Sequence, residues 1–184
     1  MFPAFVRKKS TIIANPVEVT CKRDKAANHV IVNVGRLNPQ KNQKMLIRAF
    51  SLFHEHHPEY TLQIYGEGKE WDSLQNTIDS LWLGDAAFLM GFSDDVHVSI
   101  RSAEIFVLSS DFEGMPNALM EAMMMGFPCI ATACTGVPEL IADKENGLLV
   151  PAGDPAQLAD AMTLLAEDPV LRERLAEQAA KKAS

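Results

Sequence analysis

Short apolar runs ending on glycine or serine alternate along this sequence with longer stretches in which apolar residues recur every three or four positions. His29–Val34 reads as a buried strand before Gly35. Lys41–His56, with Leu46, Ala49, Phe50 and Phe53 on one face, reads as the helix after it, stopped by Pro58. The cycle repeats with a strand over Tyr60–Tyr65 and a helix marked by Trp71, Leu74, Ile78, Leu81 and Trp82. Ala86–Met90 precedes a short helix over Asp94–Ser102, and Glu104–Ser109 precedes a helix over Pro116–Met125, where proline suits the first turn. Pro128–Thr132, a short helix over Val137–Ala142, and Gly147–Val150 after the turn pair Asn146-Gly147 follow. The tail from Pro155 to Lys182 reads as two helices broken at Asp168-Pro169. Parallel strands need crossovers, and crossovers are right-handed, so the pattern predicts an α/β fold. The expected architecture is a doubly wound, mainly parallel six-stranded sheet with helices on both faces.

At about 150 residues per domain, 184 residues allow one domain with a proper core. That domain is expected over 28–184, preceded by an extended or linker segment over 1–27 in which Ile12–Val19 reads as extended. A net charge of −7 disfavours a nucleic-acid partner, which needs a broad surplus of Lys and Arg. No apolar run approaches the ~20 residues that span a bilayer. Arg7, Lys8 and Lys9 follow the first apolar residues, the reverse of a secretory signal. Cys21, Cys129 and Cys134 are odd in number and lack metal-like spacing, so we read them as small buried hydrophobes in a reducing, cytoplasmic protein. His54, His56 and His57 lie at a helix end, where the dipole suits them better than a metal does. Met123–Met125 reads as helix packing, and Asp94-Asp95 as a helix cap.

Open parallel sheets bind ligands outside the carboxyl ends of their strands. Glycine or small polar residues stand at those ends: Gly35-Arg36, Gly66-Glu67-Gly68, Gly91-Phe92-Ser93, Ser110–Gly114 and Thr132–Gly136. Glycine there permits positive φ and close approach of a ligand to the backbone. Arg36 leaves the first strand, and Lys41 falls at the expected start of the next helix, where a cation opposes the macrodipole and an anion would compensate. Glu121 sits among Ala122, Met123, Met124 and Met125, and a carboxylate in apolar surroundings calls for a partner; two acceptors suit two ribose hydroxyls. Glu113, one turn before that helix, would lie beside whatever its N-terminus binds. For both glutamates an ordinary helix-terminal or exposed carboxylate remains the alternative.

These residues, in order, resemble the retaining nucleotide-sugar glycosyltransferases of family four, which have the two-lobed GT-B fold. The match runs from Asn15-Pro16 through Gly35-Arg36-Leu37, Lys41-Asn42, Gly66-Glu67-Gly68 and Gly91-Phe92. It continues through Ser110–Asn117, Glu121-Ala122-Met123, Gly126-Phe127-Pro128, Gly136–Glu139 and Asn146–Pro151. The most specific part is the pair of glutamates with Gly114-Met115-Pro116-Asn117 between them. The resemblance covers only the second, Rossmann-like lobe, and implies that the N-terminal acceptor lobe is missing.

By that resemblance, Arg36 and Lys41 hold the donor diphosphate together with the helix start at Asn117 and Ala118. Glu121 takes the ribose, and Gly91 and Phe92 frame the base. Backbone at Gly114, Met115 and Pro116 reaches the sugar, and Glu113 is the catalytic carboxylate, either as nucleophile or as stabiliser of an oxocarbenium-like state. The implied donor is a UDP-sugar and the acceptor a glycan or lipid-linked glycan. No cofactor or metal is expected, since the sequence has no Asp-x-Asp motif. The isolated piece would bind donor without transferring sugar, and the full-length enzyme would be cytoplasmic and peripheral at the membrane. A non-catalytic nucleotide-binding module and a nucleotide-sugar epimerase of the same fold are the alternatives. Val137 stands where the family usually has a second glycine, which predicts a narrower loop beside the diphosphate.

Overall fold

The structure, a computed structural model, describes residues 17–25 and 28–183. The expected extended segment over Ile12–Val19 and the Asn15-Pro16 motif thus lie largely outside the described residues. The chain runs β1 (Val30–Val34), a 3-10 turn (Pro39–Lys41), α1 (Gln43–His54), β2 (Thr61–Tyr65), α2 (Trp71–Ser80), β3 (Ala87–Gly91) and α3 (Val96–Ile100). It continues with β4 (Ile105–Leu108), α4 (Asn117–Met125), β5 (Cys129–Thr132), β6 (Leu148–Val150), α5 (Pro155–Glu167) and α6 (Pro169–Ala183). Six strands form one sheet in the order β3-β2-β1-β4-β5-β6, and every neighbouring pair is parallel.

Burial explains the strand sequences. β4 (IFVL) and β5 (CIAT) are buried at every position, as expected for strands covered on both faces. The edge strand β3 alternates buried and open positions. Residues of α1, α2 and α5, among them Phe50, Phe53, Ile78, Leu158 and Met162, pack against Ile31, Leu62 and Ile64 on one face of the sheet. Leu119, Met123, Phe127 and Ile100 pack against Val32, Phe106 and Leu108 on the other. Winding proceeds from β1 outward to β3, then returns to β4 on the far side of β1. The β1/β4 seam is therefore the topological switch point, where open α/β sheets bind ligands.

Four local expectations are corrected. Val137–Ala142 is a series of turns, because the Asn146 side chain takes up its backbone, accepting from Ala142 N–H at 2.7 Å and donating to the Leu140 carbonyl at 2.9 Å. Trp82 leaves the α2 face: it takes φ 57° just past the helix end, and Leu83 N–H closes on the Ile78 carbonyl at 3.1 Å. This helix-ending turn buries Leu83 and leaves Trp82 91 % exposed. Cys21 is half-buried, whereas Cys129 and Cys134 are buried, with burial pushing both their thiols up. Lys41 does not start a helix; it ends the 3-10 turn, and Asn42, accepting from Met45 N–H at 3.2 Å, caps α1.

At the amino ends of the strands lies a polar network centred on Glu104. Arg172 Nη1 of α6 meets Glu104 Oε1 at 2.5 Å. Tyr60 donates to the same oxygen at 3.2 Å, and His29 N–H to Oε2 at 3.0 Å. The Arg172 guanidinium also donates to the Leu165 carbonyl at 2.9 Å. Burial, then the Glu104 charge, push the Tyr60 phenol up.

Candidate functional site

The carboxyl ends of β1 and β4 bring together residues far apart in sequence. Lys41 Nζ lies 2.6 Å from Glu113 Oε1, 72 positions away in the chain. Ser110 Oγ donates to that oxygen, also at 2.6 Å. The Glu113 side chain is 5 % exposed and that of Lys41 18 %. Thus the cation predicted to await an external anion already has an internal counter-ion. Its ammonium carries three donors, and one suffices for Glu113.

Backbone bonds fix this meeting. Asp111 N–H donates to the Gln40 carbonyl at 2.9 Å, Gln40 Nε2 to the Phe112 carbonyl at 3.0 Å, and Ser109 Oγ to the Lys41 carbonyl at 2.8 Å. Asn42 Nδ2 reaches Asp111 Oδ1 at 2.7 Å. The 3-10 turn after β1 and the loop after β4 are therefore clamped as one unit. Sequence reasoning missed Gln40, Ser109 and Asp111 as clamp members. For Ser109 and Asp111 the signal was the pile-up of small polar residues after β4.

Arg36 is exposed and has no ion-pair partner among the described residues; its carbonyl accepts from Gln43 Nε2 at 3.0 Å. Asn117 and Ala118 open α4, whose N-cap is Pro116. No side chain caps α4 at Pro116; in its first turn Asn117 N–H donates to the Met115 carbonyl and Leu119 N–H to the Pro116 carbonyl, each at 3.0 Å. A Cβ at Gly114 would meet no atom within 4 Å, and Met115 is exposed. Gly91 ends β3 at φ 73°, and Phe92 beyond it is 71 % exposed. Glu121, on α4, is 28 % exposed, and its Oε2 lies 3.4 Å from His97 Nε2. His97 was not anticipated, and no sequence spacing pairs it with Glu121.

Two expectations about the loops change. Gly66 (φ 139°) and Gly68 (φ 159°) serve backbone packing: a Cβ at either would stand 2.0 Å from the Gly35 carbonyl oxygen or 2.2 Å from that of Leu37. Close approach here is by a neighbouring loop. Val137 does not narrow the crevice, because its side chain is fully buried among Phe106, Leu119 and Ala131. Gly136 is the residue that touches the site, since a Cβ there would lie 2.6 Å from the Gly114 carbonyl oxygen.

Among the described residues, no three His, Cys, Asp or Glu side chains gather where they could hold a metal ion. The His57 ring stacks on Phe53 at a centroid distance of 4.6 Å, and the His54 ring lies tilted against Phe50 at 5.2 Å. No helix among the described residues is long and apolar enough to cross a membrane. A cavity of about 740 Å³ between α1 and α2, with Lys44, Arg48 and Lys69 on its wall, shares no residue with the crevice.

The strand order and the switch point at which Lys41 meets Glu113 define a Rossmann-like lobe. The family described as glycosyl transferases group 1 matches residues 22–182, and the chain belongs to it. A lipopolysaccharide core biosynthesis glycosyltransferase, LpsE of Rhizobium meliloti, is 31 % identical over 149 residues, covering 81 % of this chain and 43 % of that protein. An Escherichia coli UDP-Gal:alpha-D-GlcNAc-diphosphoundecaprenol alpha-1,3-galactosyltransferase is 31 % identical over 150 residues, covering 80 % and 39 %. Among solved structures, Anabaena HepE in complex with UDP superposes with a TM-score of 0.80 at 28 % identity, over 87 % of this chain and 45 % of HepE. The C-terminal domain of the Francisella tularensis group 1 glycosyl transferase LpcC gives 0.73 at 28 % identity, over 84 % and 83 %. The chain spans less than half the length of LpsE, the galactosyltransferase and HepE, and most of the LpcC domain.

Proposed function

We propose that this chain is the donor-binding half of a retaining glycosyltransferase that uses a UDP-sugar and transfers to a glycan or lipid-linked acceptor. The observation that carries this reading is the Lys41–Glu113 pair, 2.6 Å apart at the switch point beside the uncapped start of α4. In this reading the diphosphate lies on the α4 N-terminus at Asn117 and Ala118, neutralised by Arg36 and by the two remaining donors of Lys41. A cationic clamp of that kind stabilises the departing diphosphate electrostatically and leaves no role for a metal. Glu121 takes the ribose, Gly91 and Phe92 the base, and the backbone at Gly114, Met115 and Pro116 the sugar. Glu113, already neutralised on one oxygen, acts beneath the anomeric carbon. That HepE is seen with UDP supports uridine as the base. In this reading the acceptor lobe belongs to the part of the full-length enzyme outside this domain, and the domain on its own binds donor without transferring it. LpsE and the undecaprenol-linked galactosyltransferase favour a polysaccharide acceptor and a peripheral place at the cytoplasmic membrane face.

The test is isothermal titration of UDP and UDP-sugars against the wild type, Arg36→Ala and Glu121→Ala. Binding by the wild type and at least tenfold weakening in both variants is expected. A folded wild type that binds none of them, or two variants that bind as the wild type does, overturns the reading.

A further inference from the structure

The carboxylate assigned to the ribose is held from behind. Glu121 Oε2 lies 3.4 Å from His97 Nε2 in the first turn of α3. The other ring nitrogen, Nδ1, lies 3.3 Å from the backbone nitrogen of Thr20. A backbone N–H only donates, so Nδ1 accepts, and the neutral ring carries its proton on Nε2, facing Glu121. Thr20 is itself anchored: its hydroxyl donates to Asp95 Oδ1 at 3.1 Å. The same Asp95 oxygen caps α3 by accepting from Val98 N–H at 3.2 Å. The imidazole, 13 % exposed, is thereby gripped at both nitrogens.

A glutamate on a half-open helix face loses rotamer freedom when it binds a ligand, and that loss weakens binding unless the side chain is already held. We propose that His97 is a positioning residue of the ribose subsite. Its Nε2–H fixes Glu121 Oε2, leaving Oε1 and a second lone pair on Oε2 to accept from the two ribose hydroxyls. Thr20, on the segment that enters the domain, sets the tautomer in which His97 can do this. The inference rests on Glu121 being the ribose ligand, and the experiment separates the two.

UDP and 2′,3′-dideoxy-UDP are titrated against the wild type, Glu121→Ala, His97→Ala and His97→Gln. The wild type is expected to prefer UDP by at least tenfold, and Glu121→Ala to lose that preference. His97→Ala weakens UDP about tenfold while leaving the dideoxy nucleotide unchanged. His97→Gln, whose amide can donate, restores part of the loss. A His97→Ala protein that keeps the preference overturns the role of His97 while the ribose assignment stands. Equal weakening of both nucleotides marks a merely structural histidine and also overturns it. A wild type without the preference overturns the ribose assignment and this inference together. Should His97→Ala fail to fold, long-range proton–nitrogen spectra of the wild type decide: an Nε2–H tautomer is expected, and an Nδ1–H tautomer overturns the proposal.

Discussion

Two buried glutamates bracket β4, and their partners differ in kind. Glu104, just before the strand, has both oxygens occupied, by Arg172 and Tyr60 on one and the His29 backbone on the other. Arg172 spends a further donor on the last turn of α5. Glu113, just after the strand, receives Lys41 and Ser110 on a single oxygen, and its cation sits on a flexible stem near solvent. A pair whose carboxylate is occupied on both oxygens, with a planar guanidinium also bound to the end of α5, fastens α6 to the sheet. A one-sided pair with an ammonium can exchange or share its partner. Two groups of the same chemistry thus divide into a fastener at the amino edge and, in the proposed function, a binding group at the carboxyl edge.

The largest effect expected from breaking the contrast is on stability. Arg172→Ala leaves Glu104 buried without its counter-ion and should cost about 3–5 kcal/mol in urea unfolding, with UDP affinity of the folded protein unchanged. An equal stability loss in Lys41→Ala would erase the distinction. Lys41→Ala is instead expected to lose about 1–3 kcal/mol of UDP binding in titration, with a smaller change in urea midpoint. Glu113→Gln keeps the shape and an acceptor for Lys41, so its melting temperature should move little. Joined to an acceptor lobe, that variant should lose transfer while still binding donor.

The smallest effect is a pH dependence confined to the amino edge. The Tyr60 phenol is raised from its ordinary 10.0 by burial first and the Glu104 charge second. The folded state therefore keeps its proton after the unfolded chain has released one. This contribution is complete below pH 10 and is lost as pH rises above it. Urea midpoints measured from pH 9 to 11 should fall more steeply for the wild type than for Tyr60→Phe.

Fold class was legible because burial on both faces writes continuous apolar runs into β4 and β5, and helical periodicity into α1 and α2. Boundaries were less so. Periodicity carries Trp82 into α2, but Trp82 itself takes the left-handed conformation just past the helix end and turns outward. Apolar spacing also suggested a helix at Val137–Ala142, where the Asn146 side chain draws the backbone into turns. In the crevice, Lys41, Glu113 and Glu121 were all singled out from sequence. The reason given for Lys41 was incomplete, however, because its counter-ion lies on another strand's loop. The pairing of His97 and the clamp of Gln40, Ser109 and Asp111 were not legible as contacts, since each acts through a partner on a different element.

By itself the sequence determined which stretches are strands and helices, that strands and crossovers alternate, and which loops carry the charged and small polar residues. Those properties depend on spacing within a few residues. The tertiary structure alone decided that β4 lies beside β1, which brings Glu113 to Lys41 across 72 residues. It also decided that α3 lies against α4, which brings His97 to Glu121 across 24. Such meetings follow from the order in which strands pack, a global balance of crossover handedness and core burial, and no local pattern encodes that order.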